Sequence, residues 1–186
     1  MRFNNHYELK GKHATFGASK WHWINYDKDK LLQIYESMQA KEYGTRLHEF
    51  AAEAIALGQK LPRSKKTLNT YVNDAINYRL DPEVILYYSS NFFGTADAIR
   101  FDEKTKTLRI HDLKTGKIPA HMEQLEIYAA LYCLEYRRKP SEISIILRIY
   151  QNDEIFEYEP DPAEIRDICD KIVKFDKILS GIREED

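Results

Sequence analysis

The sequence contains little cysteine, which rules out several kinds of metal site. Of its 186 residues only Cys133 and Cys169 are cysteines, and neither belongs to a C-x-x-C pair. Two such residues cannot supply a four-cysteine zinc or iron–sulfur site. Both fall within helical patterns, so we expect two buried, reduced thiols and no iron–sulfur cluster.

Long apolar runs and a strong net charge are also missing. No uninterrupted apolar stretch approaches the roughly 20 residues of a membrane span, and residues 1–6 do not begin a signal peptide. We therefore expect a cytoplasmic protein without a membrane partner. The formal net charge of −2 excludes a generally basic nucleic-acid coat. It allows local basic clusters at residues 63–66 and 137–139, although such runs are more often solvated surface.

The remaining composition, 43% hydrophobic and 31% charged, is that of an ordinary globular chain. With no internal repeat and no long linker, it predicts a single domain over 1–186 with a helical N-terminal part. Periodicity predicts an α/β fold with a central mixed sheet covered by helices on both faces. The predicted helices cover 27–38, 42–57, 68–79, 120–137 and 161–181, and the strands 84–88, 95–102, 107–114, 142–149 and 154–158.

The centre of this pattern is a hairpin whose strands flank the charged turn 103–106. If Asp102 faces Thr107, then Phe101 faces Leu108, Ile99 faces Ile110 and Asp97 faces Asp112, all on one face. Opposed carboxylates repel, and a bound divalent cation would turn this repulsion into attraction.

Lys114 follows Asp112 on the same face, within reach of a phosphate or water held by such a cation. The Leu113 side chain points the other way, but its backbone carbonyl can turn toward the metal. The alternative is a surface ion network, and on the hairpin alone the two interpretations are about even.

Two further features lie on helices. His48 borders the apolar stripe of its helix, either as a hydrogen-bonded core-edge residue or as an imidazole directed at a site. Gln124 and Tyr128 stand at i and i+4 on a strongly apolar helix, one above the other. Polar groups on a buried helix need partners.

Four segments in this order resemble the RecB-type nucleases of the PD-(D/E)XK superfamily, which include CRISPR-associated adaptation exonucleases and phage homologues. They are Gly44-Thr45-Arg46-Leu47-His48, Gly94-Thr95-Ala96-Asp97, Asp112-Leu113-Lys114-Thr115-Gly116-Lys117 and Gln124-x-x-x-Tyr128. Each segment alone is weak evidence of this resemblance, whereas the four together, in this order, are specific. The resemblance covers roughly residues 40–150 and implies a restriction-endonuclease-like core.

The resemblance implies a Mg²⁺- or Mn²⁺-dependent enzyme that hydrolyses phosphodiester bonds in DNA. It makes His48, Asp97 and Asp112 metal ligands, with Leu113 adding its backbone carbonyl. Asp97, Asp112 and Lys114 then form the catalytic set, in which Lys114 orients and helps to deprotonate the attacking water. Gln124 and Tyr128 would bind the substrate strand, with single-stranded or frayed ends favoured.

The chain departs from the family in two respects. Many relatives carry four cysteines around an iron–sulfur cluster, so here we expect packing of Trp21, Trp23 and Tyr26 to hold the N-terminal region instead. Many also have an acidic ligand ahead of the first aspartate, for which Glu83 is a loose candidate.

The leading hypothesis is a DNA exonuclease for recombination or the processing of DNA ends. The alternatives are an endonuclease on the same fold, a catalytically inactive nucleic-acid-binding module, and a subunit that works beside a helicase, a recombinase or a single-strand-binding protein. Every chemical position of the motifs is filled, which disfavours the inactive module.

Overall fold

The structure, a computed structural model, describes residues 4–116 and 118–183. Residues 1–3, which begin the segment judged not to be a signal peptide, and Lys117, in the third motif, lie outside the described residues. The chain divides into two compact units, Met1–Thr45 and Arg46–Asp186. The single domain over residues 1–186 stays a prediction.

The first unit contains two short 3-10 helices, Tyr7–Leu9 and Ala18–Asn25. Trp23 is half-buried, and its indole N–H donates to the Gly17 carbonyl oxygen at 3.0 Å. Trp21, in contrast, is 56% exposed. The expectation that Trp21 anchors this region by packing is therefore wrong, because most of its ring remains in solvent.

A single helix, α1 (Lys28–Ala56), takes the place of the two helices predicted at 27–38 and 42–57. The joining residues 39–41 are Gln, Ala and Lys, which all favour helix, and no proline separates the two patterns. Gly44 inside the helix costs only about 1 kcal/mol relative to alanine, which a long helix tolerates. Asp27 caps the start as predicted, since its carboxylate accepts the Lys30 N–H at 2.8 Å.

The later elements follow the predicted order. They are α2 (Thr67–Asn77), β1 (Asp81–Ser89), β2 (Phe92–Asp102), β3 (Thr107–Leu113), α3 (Glu123–Glu135), β4 (Ser144–Gln151), β5 (Glu154–Tyr158) and α4 (Pro162–Arg183). The last helix continues past Gly181, where its end was expected. Cys133 and Cys169 are buried free thiols, as predicted.

The five strands form one mixed sheet in the order β1-β2-β3-β4-β5. Strands β3 and β4 are parallel and joined through α3, while the other neighbours are antiparallel. Helices α3 and α4 cover one face, with Ile110, Leu125 and Ile165 in its core, and α2 with the end of α1 covers the other. This α/β architecture is consistent with a restriction-endonuclease-like core, as predicted.

The predicted hairpin register is confirmed from Asp102–Thr107 through Phe101–Leu108 and Ile99–Ile110 to Ala98–His111. The ladder stops there, so the expected direct pair of Asp97 with Asp112 is not part of it. Instead, Asp97 accepts the backbone N–H of Leu113 through Oδ2 at 2.9 Å.

The outer strands of the sheet are β1 and β5. On β1, the backbone N–H of Tyr87 donates to a carboxylate oxygen of Glu135 on α3 at 2.8 Å. Across residues 4–116 and 118–183, no helix combines the length and hydrophobicity that a membrane crossing requires.

Candidate metal and catalytic site

Strand β2 changes the face it presents at the level where it should pair with Glu83 of β1. Ala96 and Ile99 lie in the core cluster under α3, whereas Ala98 lies in the cluster under α2. Regular alternation would place residues 96 and 98 on the same face. The pairing is continuous on either side, but the pair of Glu83 with Asp97 is missing, and Glu83 has a φ of 53°. The break therefore turns the Asp97 side chain toward α1.

A three-residue cluster forms at this break. His48 Nδ1 on α1 lies 3.2 Å from Asp97 Oδ2. One ligand atom each from His48, Glu83 and Asp97 all lie within 4.8 Å of one another. Oxygen and imidazole ligands converging in this way suit Mg²⁺ or Mn²⁺. The cluster includes Glu83, which the sequence indicated as a loose candidate for an additional acidic ligand. The backbone conformation that places it there is not indicated by any sequence pattern.

Electrostatics tie these three groups together. Hydrogen bonding to Asp97 is the main cause of the raised pKa of His48, which burial partly opposes and the charges of Asp112 and Glu83 reinforce. Burial, followed by the charge of Asp97, also raises the pKa of Glu83. Negative charge concentrated in one place contributes to both shifts, and a divalent cation would relieve the repulsion between the carboxylates.

Asp112 is the most buried member of the site, at 2% exposure. Burial first, and then the neighbouring Asp97 charge, raise its pKa to about 6, although Lys114 opposes the shift. Its Oδ2 is buried and accepts no hydrogen bond within the described chain. A buried carboxylate oxygen without a hydrogen bond costs free energy unless another group satisfies it. The residues of this site therefore fit a divalent cation, which would supply that partner.

Lys114 lies just beyond the end of β3 and contacts both sides of the site. Its Nζ is 3.1 Å from Asp112 Oδ1 and 2.9 Å from Oδ2, and only the first contact has hydrogen-bond geometry. It also donates to Gln124 Oε1 on α3 at 2.8 Å. Its backbone N–H donates to the Tyr150 carbonyl oxygen at 2.9 Å, which fixes the main chain at this position. The ammonium group is thus held beside the carboxylates by two opposing partners.

The structure joins Gln124 and Tyr128 as their spacing predicts. Gln124 Nε2 donates to the Tyr128 hydroxyl oxygen at 2.9 Å, so a chain of contacts runs from Asp112 through Lys114 to Tyr128. The ring of Tyr128 passes directly over Gly94. This contact gives a physical reason for glycine in the second motif.

The side chain and the backbone of Leu113 serve different parts of the structure, as its place in the strand predicts. Its side chain is buried under α2 at 1% exposure, and its N–H holds Asp97. The role of its carbonyl oxygen as a ligand stays a prediction.

A buried polar network behind the site was not predicted. His111 is fully buried, and burial, followed by the charges of Arg148 and Arg109, lowers its pKa to about 3, so it is neutral. The Tyr150 hydroxyl donates to Asp74 Oδ2 at 2.9 Å and lies 3.2 Å from His111 Nδ1. Because the hydroxyl proton goes to Asp74, we assign the imidazole proton to Nδ1. The only sequence signal was the alternation along β3, which places the side chain of His111 on the face of the sheet opposite to that of Asp112.

No protein-family model and no curated protein matches the chain. Among solved structures, that of SSO0001 is similar to it, with 17% sequence identity and a TM-score of 0.36. The match covers 83% of this chain and 68% of SSO0001.

Proposed function

We propose that this protein is a Mg²⁺- or Mn²⁺-dependent deoxyribonuclease of the RecB type, within the PD-(D/E)XK superfamily, that degrades DNA from an end. The observation that carries the proposal is the buried Asp112 carboxylate, with one oxygen lacking a hydrogen bond, beside Asp97 and Lys114. That oxygen lies 2.9 Å from Lys114 Nζ without hydrogen-bond geometry, so it keeps lone-pair capacity that a cation could use.

His48, Glu83, Asp97 and Asp112 are the residues that would hold the cation. A cation held there would supply Lewis-acid chemistry, polarising the phosphate and neutralising the negative charge that develops on it. Because its pKa is raised by the hydrogen bond to Asp97, the His48 imidazole binds a cation in competition with a proton. Imidazole suits Mn²⁺ better than Mg²⁺, so we expect manganese to support activity at lower concentrations.

Lys114 is the residue that we place at the reacting phosphate. Held between Asp112 and Gln124, its ammonium group can orient the attacking water and stabilise the charge that develops on the phosphate oxygens. Its contact with Gln124 limits where Nζ can move. Gln124 therefore positions Lys114 and, with Tyr128, lies where the substrate strand would pass.

The preference for ends follows from the charge of the chain. A net charge of −2 excludes a generally basic coat that would grip long duplex DNA at physiological salt. Tyr128, half-buried with its hydroxyl at Gln124, offers an aromatic ring to an unstacked base. A frayed or single-stranded terminus is therefore the easier substrate. A cytoplasmic location stays a prediction.

The test compares linear and circular DNA under the same conditions. End-labelled linear duplex, the same duplex with single-stranded tails, and a covalently closed circle are incubated with Mn²⁺, Mg²⁺ or EDTA. We expect metal-dependent loss of the linear forms, tailed DNA first, and survival of the circle. The Asp112→Asn variant is the matched inactive control. Rapid nicking of the circle would replace the exonuclease with an endonuclease on the same site, and no cleavage with either metal would overturn the proposed function.

A further inference from the structure

Two cavities extend from the candidate site along the N-terminal end of α2. The first, of about 210 Å³, is lined by Leu47, Thr67, Leu113, Lys114, Thr115 and Asn152, among others. The second, of about 260 Å³, shares Thr67 with the first and reaches Ser64, Lys65 and Thr70. The two cavities thus meet at Thr67, and together they form a depression between Lys114 and the segment before α2.

Lys65, within the basic cluster at residues 63–66, lines the second cavity, and Arg63 and Lys66 flank it in the chain. Within the described chain, none of Arg63, Lys65 and Lys66 forms an ion pair shorter than 4 Å. The other basic cluster differs, since Arg138 pairs with Glu103 and Lys139 pairs with Glu142. The first cluster therefore has charge available for an anionic ligand.

Two acidic residues, Asp153 and Glu154, also line the second cavity, and Asp153 is held by hydrogen bonds to the start of α2. Asp153 Oδ1 accepts the backbone N–H of Thr67 at 2.7 Å and the Thr67 hydroxyl at 3.0 Å. These two bonds are the main reason that the pKa of Asp153 is lowered. The carboxylate caps the first turn of α2, where the positive end of the helix dipole stabilises negative charge.

We propose that this depression is the track of the DNA backbone beside the cleavage site, with Arg63, Lys65 and Lys66 neutralising its phosphates. Thr115 and Asn152 place hydroxyl and amide groups along the track, which are common phosphate contacts and carry no sequence preference. The proposal rests on the proposed function, because the track starts at Lys114. It assigns a ligand to a basic cluster that the four motifs leave unused.

The test uses two variants that remove the same number of charges. One carries Arg63→Ala, Lys65→Ala and Lys66→Ala, and its control carries Arg137→Ala, Arg138→Ala and Lys139→Ala. Binding of a labelled single-stranded oligonucleotide is measured in EDTA over a series of salt concentrations. Each phosphate contact contributes about 0.7 to the slope of log K against log salt for single strands. We expect the slope to fall by about 2 in the first variant and to stay unchanged in the control.

Equal salt slopes in the two variants, or equal losses of oligonucleotide affinity, would overturn the proposed track, because net charge alone would then explain binding. Thermal melting checks that each variant folds. If the triple variant does not fold, the single variant Lys65→Ala replaces it, with an expected loss of about 0.7 in slope.

Cleavage separates this proposal from the proposed function. A wild-type protein that degrades DNA while the first variant keeps its slope would refute the track and leave the nuclease standing. A wild-type protein that binds DNA with the expected slopes but never cleaves it would refute the nuclease alone. No DNA binding by the wild type would refute both.

Discussion

A methyl group on Gly94 would lie 2.8 Å from Cε1 of Tyr128. Real Cβ atoms essentially never come so close, so in Gly94→Ala the ring must move, and with it the bond to Gln124. We expect a loss of about 1–3 kcal/mol in the free energy of unfolding, the usual cost of inserting a methyl group into a packed site. Turnover should fall as well, since Gln124 holds Lys114.

Gly181→Ala is the control for this change. The added methyl group meets no atom within 4 Å, and the position lies inside α4. It should stabilise the protein by roughly 0.5–1 kcal/mol and leave cleavage unchanged. Equal effects of the two substitutions in denaturation and activity assays would contradict the proposed role of the Gly94–Tyr128 contact.

Asp112→Asn should abolish cleavage and stabilise the metal-free protein. The pKa of this carboxyl is raised to about 6, so the folded state disfavours its ionised form. Between the ordinary value of 3.8 and about 6, the folded state binds more protons than the unfolded state. Wild-type stability therefore falls as pH rises through this window. In EDTA at neutral pH we expect the variant to be more stable by roughly 3 kcal/mol.

Chemical denaturation in EDTA from pH 7.5 down to pH 4 measures this effect. The advantage of the variant should shrink as the pH falls, because the wild-type carboxyl becomes protonated and neutral like the amide. An advantage independent of pH would show that ionisation of Asp112 is not its cause. Added Mg²⁺ or Mn²⁺ should stabilise the wild type more than the variant.

Lys114→Ala should slow turnover about 100-fold or more while changing DNA affinity only a few-fold. One phosphate contact is a small part of binding, but a group acting on the water or the developing charge is a large part of transition-state stabilisation. Single-turnover rates and oligonucleotide binding separate the two quantities. Lys171→Ala, an exposed lysine on α4, is the control. Matching losses of rate and affinity would make Lys114 an ordinary phosphate contact.

His48→Ala should weaken metal binding by about tenfold or more, the lower end of what loss of even an outer-shell partner causes. The loss should be partly rescued by high Mn²⁺ concentrations, because the carboxylates remain. Metal-dependent shifts in melting temperature measure the weaker binding, and cleavage rates over a series of Mn²⁺ concentrations measure the rescue. His121→Ala, at a strongly exposed position outside the cluster, should behave as wild type. A folded variant that no metal concentration rescues would point to a different role for His48.

The sequence was sufficient to predict the hairpin register, because a four-residue turn pairs Asp102 with Thr107 and so places the apolar residues of both strands on one face. It also predicted the contact of Gln124 with Tyr128, since i and i+4 positions meet on any helix. Both predictions rest on local geometry.

The metal cluster could not be predicted in the same way. Alternation placed Asp97 on the face of Asp112, but the break at Glu83 turns it toward His48. A positive φ at a glutamate inside a strand is costly, and only tertiary contacts select it. The continuity of α1 was missed for a related reason, because two good amphipathic patterns do not reveal whether the residues between them stay helical.

The hydrogen bond from Tyr87 to Glu135 protects an edge of the sheet against pairing with a strand from a second molecule. A sheet with open borders can be extended by a strand from a second molecule, the first step toward aggregation. At β1 a carboxylate already occupies an outward-facing backbone donor, so an incoming strand would have to displace and bury a negative charge. At the opposite border, β5 is only five residues long and carries Glu154 and Glu157. Both borders are thus protected by acidic side chains, which disfavours intermolecular strand pairing.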